Sequence, residues 1–259
     1  HLGAQAIVGA ALLSPLPTFE TNIRGTYNLL EACRIHAGRV TGVVVASSDK
    51  AYGDHDTLPY TEDSPLIGRH PYDVSKSCAD LIAQAYHCTY DLPVGIARCG
   101  NIYGGGDLNW SRLVPTTVRA YFDGRSPAIR SDGSPVRDYI YVKDAVSGYI
   151  RLAEGLEHDQ IKGQAFNFGN EAPVTVLELV SEIQVLMESQ HLETEILGIA
   201  EAEIHSQYLS TAKAREMLNW EPGNDLRSGL VETIAWYRDF LEVDEHAMSI
   251  VPIETDRSG

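Results

Sequence analysis

Short apolar segments alternate with longer amphipathic segments along almost all of this 259-residue chain. The β-branched segment 43–46 predicts a strand buried on both faces, and the segment 71–90, with proline in its first turn, predicts a helix. Parallel strands require a crossover connection, usually a helix, so the alternation predicts an α/β fold. We expect a Rossmann-like parallel sheet, with its N-terminal strands missing, and a smaller C-terminal mixed α/β substrate lobe.

The same alternation predicts the other elements and a division into domains. Residues 1–106 should form the C-terminal part of a cofactor domain that carries the catalytic residues. Residues 107–243 should form a substrate-binding lobe interleaved with the last Rossmann elements, and residues 244–259 a loose tail. The remaining predicted helices are 17–36, 111–122, 144–154, 176–188, 211–218 and 226–241, and the remaining strands are 93–98, 136–142 and 165–168.

The chain is strongly acidic, with 36 Asp and Glu against 20 Lys and Arg and a formal net charge of −16. A nucleic-acid binder normally carries a basic face, so DNA and RNA are not expected partners. A small anionic ligand stays open, since two or three arginines suffice for a diphosphate. No apolar run approaches membrane-spanning length and no leader pattern is visible, so no membrane partner is expected.

The cysteines and histidines predict neither disulfides nor a metal site. The histidines contain no H-x-x-x-H pair, and the cysteines lack C-x-x-C spacing and lie in apolar segments. Reduced thiols in a cytoplasmic protein are the favoured interpretation. The four cysteines are Cys33, Cys78, Cys88 and Cys99.

Polar side chains follow the predicted strand 43–46 without a gap. Ser48 could hydrogen-bond a substrate hydroxyl, and Asp49 could donate a proton to a leaving group if its pKa is raised. Lys50 could act as a base if desolvation or Lys76 lowers its pKa; otherwise it would stabilise an enolate as a fixed charge. The alternative is an ordinary polar turn at a strand end.

Tyr72 and Lys76 form a Y-x-x-x-K pattern in the predicted helix 71–90. Positions i and i+4 lie on one helix face, about 5–6 Å apart at Cβ, so the lysine ammonium should lower the pKa of the tyrosine. Such a tyrosine could take a proton from an alcohol while hydride leaves the same carbon. Tyr139 and Lys143 repeat the pattern, but in a strand-like segment where the two side chains need not converge.

Two further sets of residues are candidate ligand contacts. The segment RCGNIYG, 98–104, lies at the carboxyl end of a predicted strand, where open α/β sheets bind ligands. Arg112 and Arg137 could each clamp a phosphate with two hydrogen bonds. The alternatives are a simple loop exit for the segment and a solvated surface position for each arginine.

Together these motifs resemble the extended short-chain dehydrogenase/reductase family of nucleotide-sugar epimerases and dehydratases. The resemblance implies a Rossmann fold, NAD or NADP as cofactor, a nucleotide diphosphate sugar as substrate, and a homodimer paired through the helices 17–36 and 71–90. The matching segments span nearly the whole chain and are TFETNIRGTYNLLEAC, SSDKAYG, YDVSK, RCGNIYGGGD, VRDYIYVKDAV and AREMLNWEP.

The resemblance also implies roles for individual residues. Ser48, Tyr72 and Lys76 would surround the nicotinamide and C4 of the sugar, with Asp49 and Lys50 completing the catalytic set. The implied cofactor contacts are Leu2, Gly3, Ala4, Ala46, Ser47, Tyr72, Lys76 and Cys99. The implied substrate contacts are Gln5, Ser48, Asn101, Arg112, Arg137 and Gln207.

Asp49 and Lys50 distinguish two subgroups of the resembled family. Epimerases usually carry non-ionisable residues at these positions, because they only oxidise, rotate and re-reduce the sugar at C4. Sugar 4,6-dehydratases also remove the C5 proton and expel the C6 hydroxyl, and an Asp-Lys pair resembles the CDP-glucose 4,6-dehydratases. The segment RDYIYVKD resembles the general family form instead. We expect a 4,6-dehydratase, with a 4-epimerase as the alternative.

The family's glycine-rich first turn is expected upstream of His1, because GNIYGGGD is not G-x-G-x-x-G and follows the wrong strand. On this expectation the 259 residues alone would bind cofactor poorly, and strand 43–46 would lack a sheet neighbour on one side. The alternative from another class is a non-catalytic remnant that binds a nucleotide sugar or a partner subunit without turnover.

Overall fold

Helices and short strands alternate through residues 1–199 and 204–250, which are the residues that the computed structural model describes. A π-helical turn, Glu20–Arg24, joins the second and third helices into one helical segment. The elements up to the glycine-rich loop are α1 (Val8–Leu13), α2 (Pro15–Phe19), α3 (Gly25–Ile35), β1 (Val43–Ala46), α4 (Pro71–Tyr90), β2 (Val94–Cys99) and β3 (Asn101–Tyr103).

The second part of the chain carries shorter strands and longer helices. No helix in the described part of the chain combines the length and apolarity that a bilayer crossing requires. The elements are α5 (Leu113–Phe122), β4 (Ala128–Ile129), β5 (Val136–Arg137), β6 (Tyr139–Tyr141), α6 (Val142–Gly155), β7 (Ala165–Phe168), β8 (Val174–Thr175), α7 (Val176–Leu186), β9 (Glu195–Ile196), β10 (Ser206–Gln207), α8 (Ala212–Leu218) and α9 (Leu226–Ile250).

The central sheet is parallel and has the order β1-β2-β7. Every residue of β2 is buried, as expected for a strand covered by helices on both faces. The predicted α/β class with a parallel sheet is confirmed. As expected, β1 is an edge strand with no neighbouring strand on its other side among the residues that the structure describes. His1 bonds to that edge, because its amino group donates to the Val44 oxygen at 2.7 Å and its oxygen accepts from the Ala46 N–H at 3.1 Å.

The side chains of β1 alternate between two apolar layers, because successive residues of a strand point to opposite faces. Val43 and Val45 pack with Leu30 of α3 and Ala83 of α4. Val44 packs on the other side against the cluster that includes Leu152 of α6. Both faces of the sheet are therefore covered, and the carboxyl ends of β1 and β2 are held at one rim.

The second lobe has its own core, formed mainly by α5, α7, α9 and the tyrosines of β3 and β6. Its small sheet has the order β10-β5-β8. β7 returns to the central sheet after β6 and α6, so the lobe and the sheet are interleaved along the chain. The domain boundary at 106/107 stays a prediction.

Two sequence expectations need correction. The predicted strand 136–142 is split into β5 and β6, which belong to different sheets. Asp138 lies at the break, where its carboxylate accepts the N–H groups of Asn170 and Glu171 and its backbone oxygen accepts the Asn101 N–H. The expected loose tail 244–259 is also wrong in its first part, because α9 continues to Ile250; residues 251–259 lie outside the described residues.

Candidate active site at the rim of the parallel sheet

The chain leaves β1 through a tight turn that gathers the predicted polar residues. Ser48 begins a 3-10 helix over Asp49–Tyr52 and accepts the Lys50 N–H at its Oγ, 3.2 Å away. The turn ends at Gly53, where φ is 76° and an added Cβ would lie 2.7 Å from the Ile67 oxygen, so only glycine fits without strain. Ser77 of α4 donates to the Ala51 oxygen at 2.9 Å and ties the turn to that helix.

The first turns of α4 bring Tyr72 and Lys76 to the same rim. The Lys76 Nζ lies 6.0 Å from the centroid of the Tyr72 ring and donates to the Ala46 oxygen, at the end of β1, at 2.8 Å. The second Y-x-x-x-K pattern is different, because Tyr139 is a buried strand residue, whereas Lys143 is exposed at the start of α6 and pairs with Glu232 of α9. Only the first copy therefore contributes to this rim.

The expected lowering of the Tyr72 pKa by Lys76 is wrong in this structure. Burial raises the pKa of Tyr72 to about 12, against the hydrogen bond with Ser48. Burial also lowers the pKa of Lys76 to about 8. Lys76 therefore loses its proton at a lower pH than Tyr72 does, and its positive charge is present only below about pH 8.

Asp49 is an almost inaccessible carboxyl, only 1% exposed. Burial raises its pKa, although the charges of Lys50 and Arg137 and a hydrogen bond from the Ser48 Oγ, 3.0 Å from Oδ1, oppose the change. Its Oδ2 is buried and finds no hydrogen-bond partner among residues 1–199 and 204–250. The raised pKa expected for a proton donor is thus present, and the unpartnered oxygen is a natural place for the proton.

Lys50 lies among groups from three elements. Its Nζ donates to the Oε1 of Gln207, on β10, and its charge acts on the carboxyls of Asp49 and of Asp73, on α4. Burial raises the pKa of Asp73, and the Lys50 charge opposes that change. We assigned Asp73 no role from the sequence, although it stands between Tyr72 and Lys76 and its position in the first helical turn was visible.

Gln207 does not have the exposed position expected of a nucleotide contact. It is fully buried, and its Nε2 donates to the Asp49 backbone oxygen at 3.2 Å while its Oε1 accepts from Lys50. The physical reason is the pairing of β10 with β5, which brings Gln207 against the turn that carries Asp49 and Lys50. The structure places Gln207 behind Lys50 and Asp49 rather than on an open surface.

Arg112 and Arg137 flank the site from the second lobe. The charge of Arg112 acts on the Tyr72 hydroxyl, and that of Arg137 acts on Asp49. Arg112 is part-exposed and pairs with Asp107 at 3.0 Å, whereas Arg137 is buried and its Nη1 donates to the Val136 oxygen at 2.8 Å. One guanidinium group therefore lies within electrostatic range of the phenol and the other within range of the buried carboxyl.

The RCGNIYG segment contributes unequally to the rim. Arg98 is buried in an ion pair with Asp80, with N–O distances of 2.8 and 2.9 Å, so it serves the core. Cys99 donates to the hydroxyl of Tyr149 at 3.7 Å, and its thiol lies within electrostatic range of Lys76. Asn101 begins β3 and is part-exposed. Nothing in the sequence pattern had indicated Tyr149.

The first residues of the chain run beside α4. Asn22 holds this segment, since it accepts the Gln5 N–H at 2.7 Å and donates to the Gln5 oxygen at 3.0 Å and to the Ser75 Oγ at 2.9 Å. Leu2 is exposed, and the Gln5 side chain bonds to Ile7 and Thr18. The predicted contacts Leu2, Gly3, Ala4 and Gln5 thus approach the site as one anchored segment.

The cysteines and the possible metal ligands are two further sets of groups that this rim could contain. The four cysteines are free thiols, and Cys99 is the buried one among them. Within the described ranges, His, Cys, Asp and Glu side chains form no cluster able to hold a metal ion. The site therefore consists of a phenol, a buried carboxyl, two lysines, a serine and two arginines.

Comparison with known proteins agrees with this geometry. The family model described as GDP-mannose 4,6 dehydratase matches residues 1–233. The chain belongs to this family. It is 30% identical over 258 residues to a CDP-glucose 4,6-dehydratase of Salmonella typhimurium, an alignment that covers 95% of this chain and 71% of that protein. The resemblance stated from the motifs is confirmed.

Two solved structures of the family's relatives have the same fold. A dTDP-glucose 4,6-dehydratase of Bacillus anthracis, determined in complex with NAD, has a TM-score of 0.79 at 31% identity, covering 88% of this chain and 70% of that one. A UDP-glucose 4-epimerase of Thermotoga maritima, with UDP-glucose, has a TM-score of 0.86 at 26% identity, covering 93% and 77%. The Rossmann-type architecture is therefore shared with both dehydratases and epimerases.

Proposed function

We propose that this protein is an NAD-dependent nucleotide-sugar 4,6-dehydratase, which converts a nucleotide hexose to the 4-keto-6-deoxy sugar with loss of water. The observation that carries the proposal is Asp49, a buried carboxyl with a raised pKa and an unpartnered oxygen, on the same turn as Ser48 and Lys50. A proton donor of this kind is needed to expel a hydroxyl and has no task in a 4-epimerase.

Each residue of the rim has its own role in the proposed reaction. Tyr72, whose pKa the nearby Ser48 hydroxyl helps to lower, takes the proton from the sugar O4. Lys50 removes the C5 proton or stabilises the enolate that follows, and Asp49 gives its proton to the departing C6 hydroxyl. The hydrogen that leaves C4 returns at C6 as hydride while a proton returns to C5, so the overall change is the loss of one water and needs no external oxidant.

The residues at the end of β1 suit the nicotinamide side of NAD. The Ser47 Oγ is buried and has no hydrogen-bond partner in the described part of the chain. The Lys76 Nζ donates to the backbone oxygen of the preceding residue, Ala46. Such donors and acceptors fit ribose hydroxyls, with Leu2, Gly3, Ala4 and Cys99 as the neighbouring wall. NAD, when bound, supplies the hydride acceptor for C4 and a cationic ring whose charge favours the phenolate form of Tyr72.

The nucleotide diphosphate would lie on the side of the second lobe. Arg112 and Arg137 provide two positive charges within electrostatic range of Tyr72 and Asp49, and Asn101, at the start of β3, provides a neutral amide. Guanidinium groups bind phosphate oxygens through paired hydrogen bonds, which lysines cannot do with the same geometry. These residues are the proposed substrate contacts, together with Gln5 and Ser48.

Product analysis tests this function. The protein with NAD should convert at least one of CDP-glucose, dTDP-glucose and UDP-glucose to a 4-keto-6-deoxy sugar, detected by NMR and mass spectrometry as the loss of one water. Heat-inactivated protein is the control. A product of unchanged mass with an inverted C4 hydroxyl would instead show a 4-epimerase, the second candidate, which the high structural similarity to the UDP-glucose 4-epimerase favours.

We further propose a homodimer paired through α3 and α4. Their outer faces expose large apolar residues, among them Ile35 at 63%, Leu81 at 55% and Tyr90 at 54%. Light scattering after size exclusion should give twice the chain mass, and Leu81→Glu should give the monomer mass because it buries a charge in the interface. Val231→Glu, an equally exposed position on α9, is the control and should leave the mass unchanged. A monomeric wild type would contradict the proposal.

A further inference from the structure

Gln207 makes a buried connection between the second lobe and the turn that carries Asp49 and Lys50. Its side chain is fully buried on β10. The amide oxygen accepts from the Lys50 Nζ, and the amide nitrogen donates to the Asp49 backbone oxygen at 3.2 Å. Both polar atoms of one amide therefore hold two consecutive residues, one by its side chain and the other by its backbone.

An amide suits this position better than a charged or an apolar side chain. Its oxygen can orient the Lys50 Nζ in either protonation state, because an ammonium and a neutral amine both donate N–H hydrogen bonds. A carboxylate would favour the ammonium form alone. An alkyl side chain would remove both hydrogen bonds and let the Lys50 side chain and the turn shift.

β10 is also tied to the strand that carries Arg137. Gln207 and Arg137 are register partners in the parallel pair β10–β5, and the Arg137 Nη1 donates to the His205 oxygen at 3.2 Å. Arg137 is one of the two cations proposed for the diphosphate. The strand that would hold the diphosphate thus lies directly beside the residue that holds Lys50.

We propose that Gln207 is a positioning residue that fixes Lys50 and Asp49 for the elimination step. The proposal rests on the dehydratase function given above. In that step the C5–H bond breaks toward Lys50, its electron pair forms the C5–C6 double bond, the C6–O bond breaks, and Asp49 protonates the leaving oxygen to give water. Oxidation at C4 uses Ser48, Tyr72 and Lys76, to which Gln207 makes no hydrogen bond among those of the described residues.

The two half-reactions should therefore respond differently to Gln207→Leu. With NAD and a nucleotide sugar that the wild type converts, formation of the keto-deoxy sugar should fall by about 10²-fold, as expected when a reacting group is misplaced by about 1 Å. Absorbance from reduced nicotinamide should build up, because oxidation at C4 continues. KM should stay within about threefold of the wild-type value, since uniform substrate binding is retained.

Gln164→Leu is the matched control, because the Gln164 Oε1 accepts from the Nζ of Lys213 at 2.9 Å on an exposed part of the molecule. That variant should behave as the wild type in both half-reactions. Wild-type product formation by Gln207→Leu would overturn the proposal, and so would an equal loss of oxidation and elimination with a lowered Tm. A wild type that forms no keto sugar from CDP-, dTDP- or UDP-glucose would overturn the dehydratase function itself.

Discussion

Asp49→Asn is expected to lower the rate of keto-sugar formation by about 10²–10⁴-fold, the usual contribution of a general acid, and to stabilise the folded protein at pH 7. The amide keeps an oxygen for the Ser48 hydroxyl, 3.0 Å away, but has no proton of suitable pKa for the C6 hydroxyl. The stabilisation follows because the wild-type carboxyl is 1% exposed, and a carboxylate charge at a buried position destabilises the folded state.

The stability difference between Asp49→Asn and the wild type should depend on pH in a defined direction. The native pKa of Asp49 is raised above its unfolded value, so its contribution to stability is present below the unfolded pKa, near 3.9, and is lost as pH rises through the native pKa. Asparagine does not titrate. The advantage of the variant, about 1–3 kcal/mol at pH 7, should therefore disappear toward pH 4.

Urea unfolding at pH 7 and pH 4, with product formation measured in parallel, checks this prediction. Asp80→Asn is the matched control, since Asp80 is equally buried but paired with Arg98 at 2.8 Å. Removing that charge leaves the arginine unpaired and should cost about 3–5 kcal/mol at pH 7. A destabilised Asp49→Asn, or one with wild-type turnover, would show that Asp49 is an ordinary structural carboxylate.

Lys76→Met is expected to lower turnover by about 10²-fold at neutral pH. At the 6.0 Å between the Lys76 Nζ and the Tyr72 ring, a unit charge stabilises a phenolate by about 3 kcal/mol at an effective dielectric constant of 20. Burial lowers the pKa of Lys76 to about 8, so the Lys76 charge stabilises the phenolate below that pH and is lost above it. The ratio of wild-type to variant rates should therefore shrink as pH rises through about 8.

Rate–pH profiles of Lys76→Met and Lys143→Met measure this effect. Lys143 belongs to the second Y-x-x-x-K pattern, but its side chain is 66% exposed and pairs with Glu232 on the surface. Its replacement should leave the rate unchanged, because an exposed pair is worth about 1 kcal/mol or less to stability and nothing to the site. Equal losses in both variants, or a ratio that does not change with pH, would contradict the role of Lys76.

The local part of the site could be predicted from the sequence. The bounds of α4 and β1 followed from periodicity and proline placement, and the i, i+4 relation of Tyr72 and Lys76 followed from helix geometry. The SSDK turn after β1 was placed correctly because parallel strands end at one rim. These features depend on neighbours within a few residues along the chain.

The rest depended on contacts between distant segments. The pKa order of Lys76 and Tyr72 reverses the expectation because burial, set by packing of the whole sheet, outweighs the charge of a neighbour. Gln207 reaches Lys50 across 157 residues, through the pairing of β10 with β5. Asp138 splits a segment that alternates like one strand, because its carboxylate binds the backbone of Asn170. None of these pairings leaves a local pattern.

The central claim is that one phenol and one buried carboxyl act on the same sugar, so that hydrogen removed at C4 ends at C6. A nucleotide hexose carrying deuterium at C4 tests it most directly, with NMR of the product formed by the NAD-bound protein. The account predicts a 4-keto sugar with the deuterium in its C6 methyl group. Deuterium found at C4 of an inverted, unoxidised sugar would contradict it.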